Sequence, residues 1–326
     1  MTCRVRRLVP LAVAVLIVSA CGNGSGSGVG SSSMTLYTCA SANVEQAVVS
    51  AFERAHHGAK VNVFRAPTGQ LNARVAADVR SGGIEADVIW ACDPLTMHGY
   101  DAQGLLRAWT PPNASAIPSA DRTPHFVGVD LLYMVLVVHK GIAAPTTWAE
   151  LAGSRFRGKV ALPSPSFAAS ALGLLGYFAS APGYGIDYYR KLKDNGAVQV
   201  NAPADTLDGV AQGTYSAGVT LANAGYTAQE KGSPIQVAWP RPGGVAIYAP
   251  IGLTTKRNHS PLADTFAAFA ASRDGQKLMA EQGTYVTIGG LGGPPIPPAS
   301  PTAAPDWPSL FSTYKSVLAR YSAIFS

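Results

Sequence analysis

The chain has 326 residues, of which only 13% are charged, with 25 Lys and Arg against 19 Asp and Glu. The formal net charge of +6 is scattered rather than clustered, which argues against a nucleic-acid-binding protein, because such proteins concentrate basic residues in a patch or stripe. A chain of this length is longer than a single hydrophobic core usually accommodates, so we expect two domains.

Residues 1–20 have the pattern of a signal peptide. Three arginines precede an apolar run over 8–20, which is too short for the ~20 helical residues that span a bilayer. The run ends in Val-Ser-Ala-Cys, which resembles a bacterial lipobox and predicts cleavage before Cys21 and acylation of its thiol. An ordinary secretory signal with a chance cysteine is the alternative.

The Gly- and Ser-rich segment 21–33 would then be a lipidated tether. It predicts a protein of the cell envelope, anchored by lipid to the outer face of the cytoplasmic membrane rather than spanning it. Removal of the signal would lower the formal charge from +6 to +3. The exported body would keep two cysteines, Cys39 and Cys92, which in an oxidising compartment are more often paired than free. At this point Cys39 could still be a nucleophile, half of a disulfide or a marker of a ligand site.

The first part of the body alternates strands and helices. Short β-rich runs cover 35–38, 60–65 and 87–91, and apolar residues at spacings of three and four predict helices over 43–56 and 69–81. Strand and helix in turn, with short links, indicate an α/β sheet. Trp90 lies inside the third, continuously apolar run, so we expect it in the core.

A long β-rich stretch, FVGVDLLYMVLVVHK over 126–140, opens a second α/β unit that extends to about residue 245. A second such stretch, GGVAIYAPIGLTT over 243–255, closes it. Two long extended segments that bracket an inserted unit predict two lobes joined by two crossover strands. The predicted helices of the unit are 148–151, 166–181, 187–195, 205–212 and 222–231, and its strands are 159–162, 198–200, 216–221 and 235–238.

Helices are expected after the second crossover at 261–271 and 275–282, followed by a Pro-rich tail and a final helix over 307–325 with one apolar face. We assign 34–128 together with 250–326 to lobe 1, and 129–249 to lobe 2.

Several kinds of catalytic or cofactor chemistry have no matching motif. The six histidines show no metal-ligand spacing within a helix, and the sequence has no CxxC, GxGxxG, P-loop or GxSxG motif. Ser312–Lys315 fits S-x-x-K of serine acyl-enzymes, but the partner motifs S-D-N and K-T-G are missing and the serine falls off the apolar face of the last helix. We expect no metal and no cofactor.

Five loops that follow predicted strands combine small residues, hydroxyls and Gly or Pro: TCASAN, APTGQ, ACDP, PSPSFAAS and TLANAGY. Ligands of parallel sheets bind beyond the carboxyl ends of the strands, where helices present unpaired N–H groups. Each loop could instead be only a helix cap, but five across two lobes indicate a cleft between them. The candidate ligand-binding residues are Cys39, Ala40, Ser41, Thr68, Gly69, Cys92, Asp93, Ser164, Ser166, Phe167, Ala168, Asn223, Tyr226 and Tyr248.

Four blocks in order, LYTCAS, APTGQLNARVAADVRSGGIEADVIWACDP, WAELAGSRFRGKVALPSPSFAAS and YSAGVTLANAGYTAQEKGSPIQVAWP, resemble the extracellular solute-binding proteins of ABC importers, of the ferric-iron and 2-aminoethylphosphonate type. The resemblance covers most of 34–290. It implies a two-lobed α/β periplasmic-binding-protein fold (type II, Venus flytrap) and a monomer without catalysis. It also implies delivery of the solute to a permease and its ATPase.

The resemblance also bears on the solute. Iron binders of this family hold the metal with adjacent tyrosines, whereas the corresponding run here offers only Tyr226, and the loop at Cys39 offers neither His nor Glu. We therefore expect a small anionic solute bearing a phosphate, phosphonate or carboxylate group, with ferric iron as the alternative. Asp93 could pair with an amine or sugar hydroxyl, or only cap the helix that follows it.

In the fold that the resemblance implies, the first and third strands are neighbours, which predicts a Cys39–Cys92 disulfide on the floor of the cleft. Two other functions stay open. An envelope enzyme with a Cys39 or Ser nucleophile would need a free, activated thiol or hydroxyl. A receptor-like adhesin or sensor domain would have lost transport.

Overall fold

The computed structural model describes residues 33–298, 300 and 302–326. The predicted signal peptide, the acylation of Cys21 and almost all of the tether lie outside these residues. The strands are β1 Ser33–Thr38, β2 Lys60–Arg65, β3 Val88–Trp90, β4 Phe126–His139, β5 Val160–Pro163, β6 Val198–Val200, β7 Ala217–Leu221, β8 Ile235–Ala238, β9 Gly244–Leu253, β10 Tyr285–Val286 and β11 Thr302–Ala303. The helices are α1 Ala42–Ala55, α2 Thr68–Arg80, α3 Pro94–Ala102, α4 Ala169–Ser180, α5 Gly185–Asp194, α6 Pro203–Ala211, α7 Ala222–Glu230, α8 Leu262–Ala271, α9 Arg273–Glu281 and α10 Trp307–Phe325.

One continuous sheet runs through these strands in the order β2-β1-β3-β9-β4-β7-β5-β6. Strands β1, β2 and β3 are parallel to one another, as are β5, β6 and β7. The two parallel sets are separated by the antiparallel pair β4 and β9. Each parallel set is therefore half of the sheet, and the central pair belongs to both halves.

The central pair consists of the two long β-rich stretches of the sequence. Strand β4 has 14 residues and β9 has 10, and they pair from Phe126 with Gly252 to Met134 with Val245. The register shifts between Gly128 and Asp130, which marks a β-bulge. Long strands shared by two half-sheets are the crossover strands predicted from sequence.

Apolar faces drive the local structure. In α1 the buried residues include Val44, Val48 and Phe52, which lie at the helical spacing read from the sequence. They pack in one core with residues of β1, β3, α8 and α9. A larger core joins residues of α3, α4 and α5 to those of β4 and β9.

The last helix, α10, packs along three other helices, α3, α4 and α5. Its Leu310 lies against Gly176 so closely that a Cβ atom on that glycine would be 2.1 Å from the Leu310 Cδ2 atom. The ring of Phe311 lies 5.4 Å from that of His98 in α3. Helix α10 thus contacts a helix that follows β3 as well as two helices that follow β5. The division of residues between lobes stays the prediction made above.

The helix predicted from residue 166 begins only at Ala169, because the segment before it forms a turn. In that turn the amide N–H groups of Phe167 and Ala168 both donate to the carbonyl oxygen of Ser164, at 3.1 and 2.9 Å. The short strands β10 and β11 were not predicted. Within the residues that the structure describes, no helix is long and apolar enough to cross a membrane.

Candidate functional site

The loops that follow the parallel strands end at two neighbouring cavities. In each half of the sheet the carboxyl ends of the strands face the same edge, and each strand is followed by a helix. The loops after β1, β2 and β3 come from one half, and those after β5 and β7 from the other. Each cavity is lined by residues from both halves.

The first cavity, of about 260 Å³, is called the disulfide cavity below. The loops after β1 and β3, the start of α7 and the crossover strands form its walls. It is lined by Cys39, Ala40, Ser41, Val44, Trp90, Cys92, Asp130, Leu132, Leu221, Asn223, Ala249 and Thr284.

The second cavity, of about 380 Å³, is called the Phe167 cavity. It lies between the starts of α2 and α3 on one side and the loop before α4 on the other, with Tyr314 of α10 also in its wall. Its polar and aromatic lining includes Thr68, Asn72, Asp93, Thr96, Tyr100, Gln103, Ser166, Phe167 and Tyr314.

A disulfide joins Cys39 to Cys92, with 5.8 Å between their Cα atoms. The amide N–H of Cys39 also donates to the carbonyl oxygen of Trp90 at 3.4 Å, so the loops after β1 and β3 are linked by a covalent and a hydrogen bond. The predicted pairing is present. Because neither sulfur carries a free thiol, Cys39 has no thiolate with which to act as a nucleophile.

Four helices begin at these cavities without a side-chain cap. The N-cap residues are Ser41 for α1 and Leu221 for α7 at the disulfide cavity, and Pro67 for α2 and Ala168 for α4 at the Phe167 cavity, and none accepts a hydrogen bond with its side chain. By contrast α3, α9 and α10 are capped by Asp93, Ser272 and Asp306. The N-cap side chains of α5, α6 and α8 also accept no hydrogen bond, so the notable feature is that four uncapped helix starts share two cavities. Free N–H groups at a helix start favour an anion.

The wall of the disulfide cavity also holds a buried acid, Asp130, on the crossover strand β4. Only 6% of its surface is exposed. Burial raises the pKa of its carboxyl to about 7, and the nearby indole of Trp90 and the residue's own backbone N–H oppose this only partly. Among the described residues, neither Asp130 Oδ1 nor Trp90 Nε1 has a hydrogen-bond partner of good geometry.

The sequence had not singled out Asp130, although it carried a signal. Asp130 is the one acidic residue in the apolar run of β4, and a charge placed in a buried strand costs free energy that a ligand can offset.

The model of the bacterial extracellular solute-binding protein family matches residues 34–284. The chain belongs to this family. Its members bind solutes outside the bacterial cell.

Solved structures of other binding proteins share the fold of this solute-binding protein, which confirms the two-lobed periplasmic-binding-protein fold predicted above. Iron-bound HitA from Pseudomonas aeruginosa is 19% identical, covers 90% of this chain and 99% of its own, and gives a TM-score of 0.76. AfuA from Actinobacillus pleuropneumoniae, solved with exogenous fructose-6-phosphate bound, is 17% identical with coverages of 89% and 97% and a TM-score of 0.77. The substrate-binding protein of an ABC transporter from Agrobacterium tumefaciens is 14% identical, with coverages of 92% and 96% and a TM-score of 0.78. No curated protein sequence matches this chain significantly.

The structure of this solute-binding protein brings most of the predicted ligand residues to the two cavities. The disulfide cavity contains Cys39, Ala40, Ser41, Cys92 and Asn223. The Phe167 cavity contains Thr68, Gly69, Asp93, Ser166 and Phe167.

Four predicted residues lie outside the lining of both cavities. Ser164 is buried and Ala168 is the N-cap of α4. The Tyr226 hydroxyl accepts a hydrogen bond from Trp239 Nε1 at 2.9 Å. Tyr248 is buried, with its ring 5.9 Å from that of Trp307.

Asp93 was expected either to bind an amine or hydroxyl or to cap a helix, and its side chain caps α3. Its Oδ1 atom accepts from the Thr96 amide N–H and its Oδ2 atom from the Thr96 hydroxyl, both at 2.8 Å. Burial raises the pKa of this carboxyl, and the bonds from Thr96 work against the shift. Both oxygens already have partners within the protein, which distinguishes Asp93 from Asp130.

The described residues contain no cluster of three or more His, Cys, Asp or Glu side chains that could hold a metal ion. Tyr226, the one tyrosine of the run that in iron binders supplies the metal ligands, directs its hydroxyl to Trp239.

Proposed function

We propose that this solute-binding protein serves an ABC importer and captures a small anionic organic solute, bearing a phosphate, phosphonate or carboxylate group, between its lobes. The observation that carries the proposal is the set of four uncapped helix starts at the two cavities, two from each half of the sheet. The protein hands the solute to a permease and its ATPase, and acts as a monomer without catalysis.

Backbone groups are the source of positive potential in both cavities. Neither lining contains Lys or Arg among the described residues. A helix start carries the equivalent of roughly half a positive charge, and its free N–H groups point along the axis at the ligand. Two such starts from opposite halves would bind one anion and favour the closed arrangement of the lobes.

The test is the melting temperature in the presence of inorganic phosphate, sugar phosphates, alkylphosphonates and small carboxylates. A ligand at 100 times its Kd stabilises the folded state by about 2.7 kcal/mol, so a true solute raises the melting temperature by several degrees. If no anion raises the melting temperature and the protein forms a coloured complex with Fe(III), the solute is ferric iron and the anion proposal is wrong.

A matched pair of variants tests the helix starts themselves. Ala169→Asp puts a carboxylate in the first turn of α4 at the Phe167 cavity, where it favours the helix but repels an anionic solute. Ser309→Asp puts the same group in the first turn of α10, at an exposed position outside both linings. The first variant is expected to lose the response to solute and the second to keep it. If solute raises the melting temperature of both variants equally, the start of helix α4 does not contact the solute.

Attachment to the membrane through an acylated Cys21 is part of the proposal and lies outside the described residues. Cys21→Ser is expected to release the protein from washed membranes, and the mass of the N-terminal peptide checks the lipid directly. Unchanged membrane association of Cys21→Ser would show an anchor of another kind.

A further inference from the structure

The inner wall of the disulfide cavity has polar atoms that the protein itself leaves without partners. Asp130 Oδ1 from crossover strand β4 and Asn223 Oδ1 from the first turn of α7 are buried acceptors, and Trp90 Nε1 is a buried donor. None of the three has a hydrogen-bond partner of good geometry among the described residues, although the Trp90 indole lies close enough to Asp130 to oppose part of the rise in the pKa of that carboxyl. Buried polar groups in native proteins are paired in the great majority of cases, so an unpaired set in one cavity requires an explanation.

The oxygens of Asp130 and Asn223 can accept hydrogen bonds from donor groups of a ligand. An ionised carboxylate is only an acceptor, and an amide offers an acceptor through its oxygen and donors through its nitrogen. Helix starts, by contrast, supply only donors and suit the anionic end of a solute. The lining of the cavity therefore combines two opposite chemistries, the N-termini of α1 and α7 as donors and the oxygens of Asp130 and Asn223 as acceptors.

Resting on the proposed function, we infer that Asp130 is a specificity-determining residue, which accepts a hydrogen bond from a hydroxyl or ammonium group that the anionic solute carries. Asn223 contacts the same group from the other half of the sheet. An alcohol would donate to Asp130 and could accept from Trp90 Nε1, whereas an ammonium would donate to the two acceptors alone.

The cost of keeping Asp130 supports a role in binding. Its carboxyl is almost completely buried, no salt bridge reaches it among the described residues, and no charged side chain contributes to the shift of its pKa. An unpaired buried carboxylate destabilises a fold, and residues of this kind are retained where activity requires them.

The experiment compares three sets of probes by melting temperature on the wild type and on Asp130→Asn. The first set is propylphosphonate and propionate, which are anions whose carbon chain carries no hydroxyl or amino group. The second is 3-hydroxypropylphosphonate, 3-aminopropylphosphonate, 3-hydroxypropionate and 3-aminopropionate, which add one donor to the same chains. The third is propanol and propylamine, which keep the donor group without the anion. Asp121→Asn is the matched control, because Asp121 is also partly buried but lies outside the lining of the disulfide cavity.

We expect a donor-bearing anion to bind the wild type and Asp121→Asn at least tenfold more tightly than its partner without the donor, and this preference to vanish in Asp130→Asn. Preference for the amino or for the hydroxyl member identifies which donor the solute carries. Equal binding of both sets, or a preference that survives in Asp130→Asn, would overturn the inference and leave the proposed function intact. If only propanol or propylamine binds, and Asp130→Asn abolishes that binding, the anionic solute is wrong but the role of Asp130 in binding a donor stands. No binding by any set would count against both.

Discussion

At the scale of single residues, Asp130 has a consequence for stability even without solute. Its carboxyl has a pKa raised by burial from 3.8 to about 7, so between these values the folded protein keeps a proton that the unfolded chain has released. The free energy of unfolding therefore falls as pH rises through this window, and stays low above it.

Asp130→Asn keeps the shape but cannot ionise. We expect the variant to be more stable than the wild type by about 2–4 kcal/mol at pH 8, with little difference near pH 4, in urea unfolding at the two pH values. Asp121, whose pKa is raised to about 6 by burial, gives a smaller effect of the same sign when changed to Asn. A loss of stability at pH 8 in Asp130→Asn would show that the carboxylate has a partner in the fold.

Phe167 is the second residue with an unusual placement, because 75% of its surface is exposed although it lines a cavity. Phe167→Ala removes apolar surface that the fold does not use, so the melting temperature without solute should stay within about 1 °C, since surface substitutions change stability little. We expect the ring to pack on the bound solute, so the rise in melting temperature caused by solute should be smaller in Phe167→Ala than in the wild type.

The control for Phe167→Ala is Ile296→Ala, at a residue that is 42% exposed and outside both linings. Ile296→Ala is expected to change neither measurement. If Phe167→Ala behaves in the same way, the ring does not touch the solute.

At the scale of elements, the disulfide closes a loop between residues 53 positions apart. A link over this distance restricts the unfolded chain, and its removal costs about 4 kcal/mol in the chain-entropy treatment. Cys39→Ala with Cys92→Ala is expected to lower the urea midpoint accordingly, and reduction of the wild type should reproduce the result. A double variant as stable as the wild type would mean that packing alone holds the loops after β1 and β3.

The contact of α10 with α4 has no room for an added methyl group. Gly176→Ala would place a Cβ atom 2.1 Å from Leu310, so we expect a loss of about 1–3 kcal/mol. Leu310→Ala removes the obstructing atoms, so the double variant should be less destabilised than the sum of the single ones. Gly99→Ala is the control, because nothing lies within 4 Å of its added Cβ. If the losses of stability in the two single variants simply add in the double variant, the effect of Gly176→Ala does not arise from its contact with Leu310.

At the scale of the whole molecule, two lobes joined by β4 and β9 predict a hinge motion. A solute identified by the melting experiments should lower the radius of gyration in X-ray scattering, while a non-binding anion of equal charge leaves it unchanged. A radius that does not respond to a bound solute would mean that the lobes are already closed without it.

The architecture could be predicted from the sequence because strands and helices alternate with short links, and because two β-rich stretches are too long for one lobe. The sequence did not indicate which side chains of the crossover strands face the disulfide cavity. Ala249, which pairs with Asp130, lines the disulfide cavity, and its neighbour Tyr248 consequently points to the opposite face, towards Trp307. The bulge between Gly128 and Asp130 shifts this alternation, and no periodicity in the residues marks where it falls.

The disulfide also links the binding site to the compartment in which the protein matures. In the reducing cytoplasm the thiols of Cys39 and Cys92 would remain unlinked, and the loops after β1 and β3 would lack their covalent tie. Full affinity would be acquired only after export, when oxidation fixes the two loops. A chain that has not yet been exported would then bind little solute inside the cell.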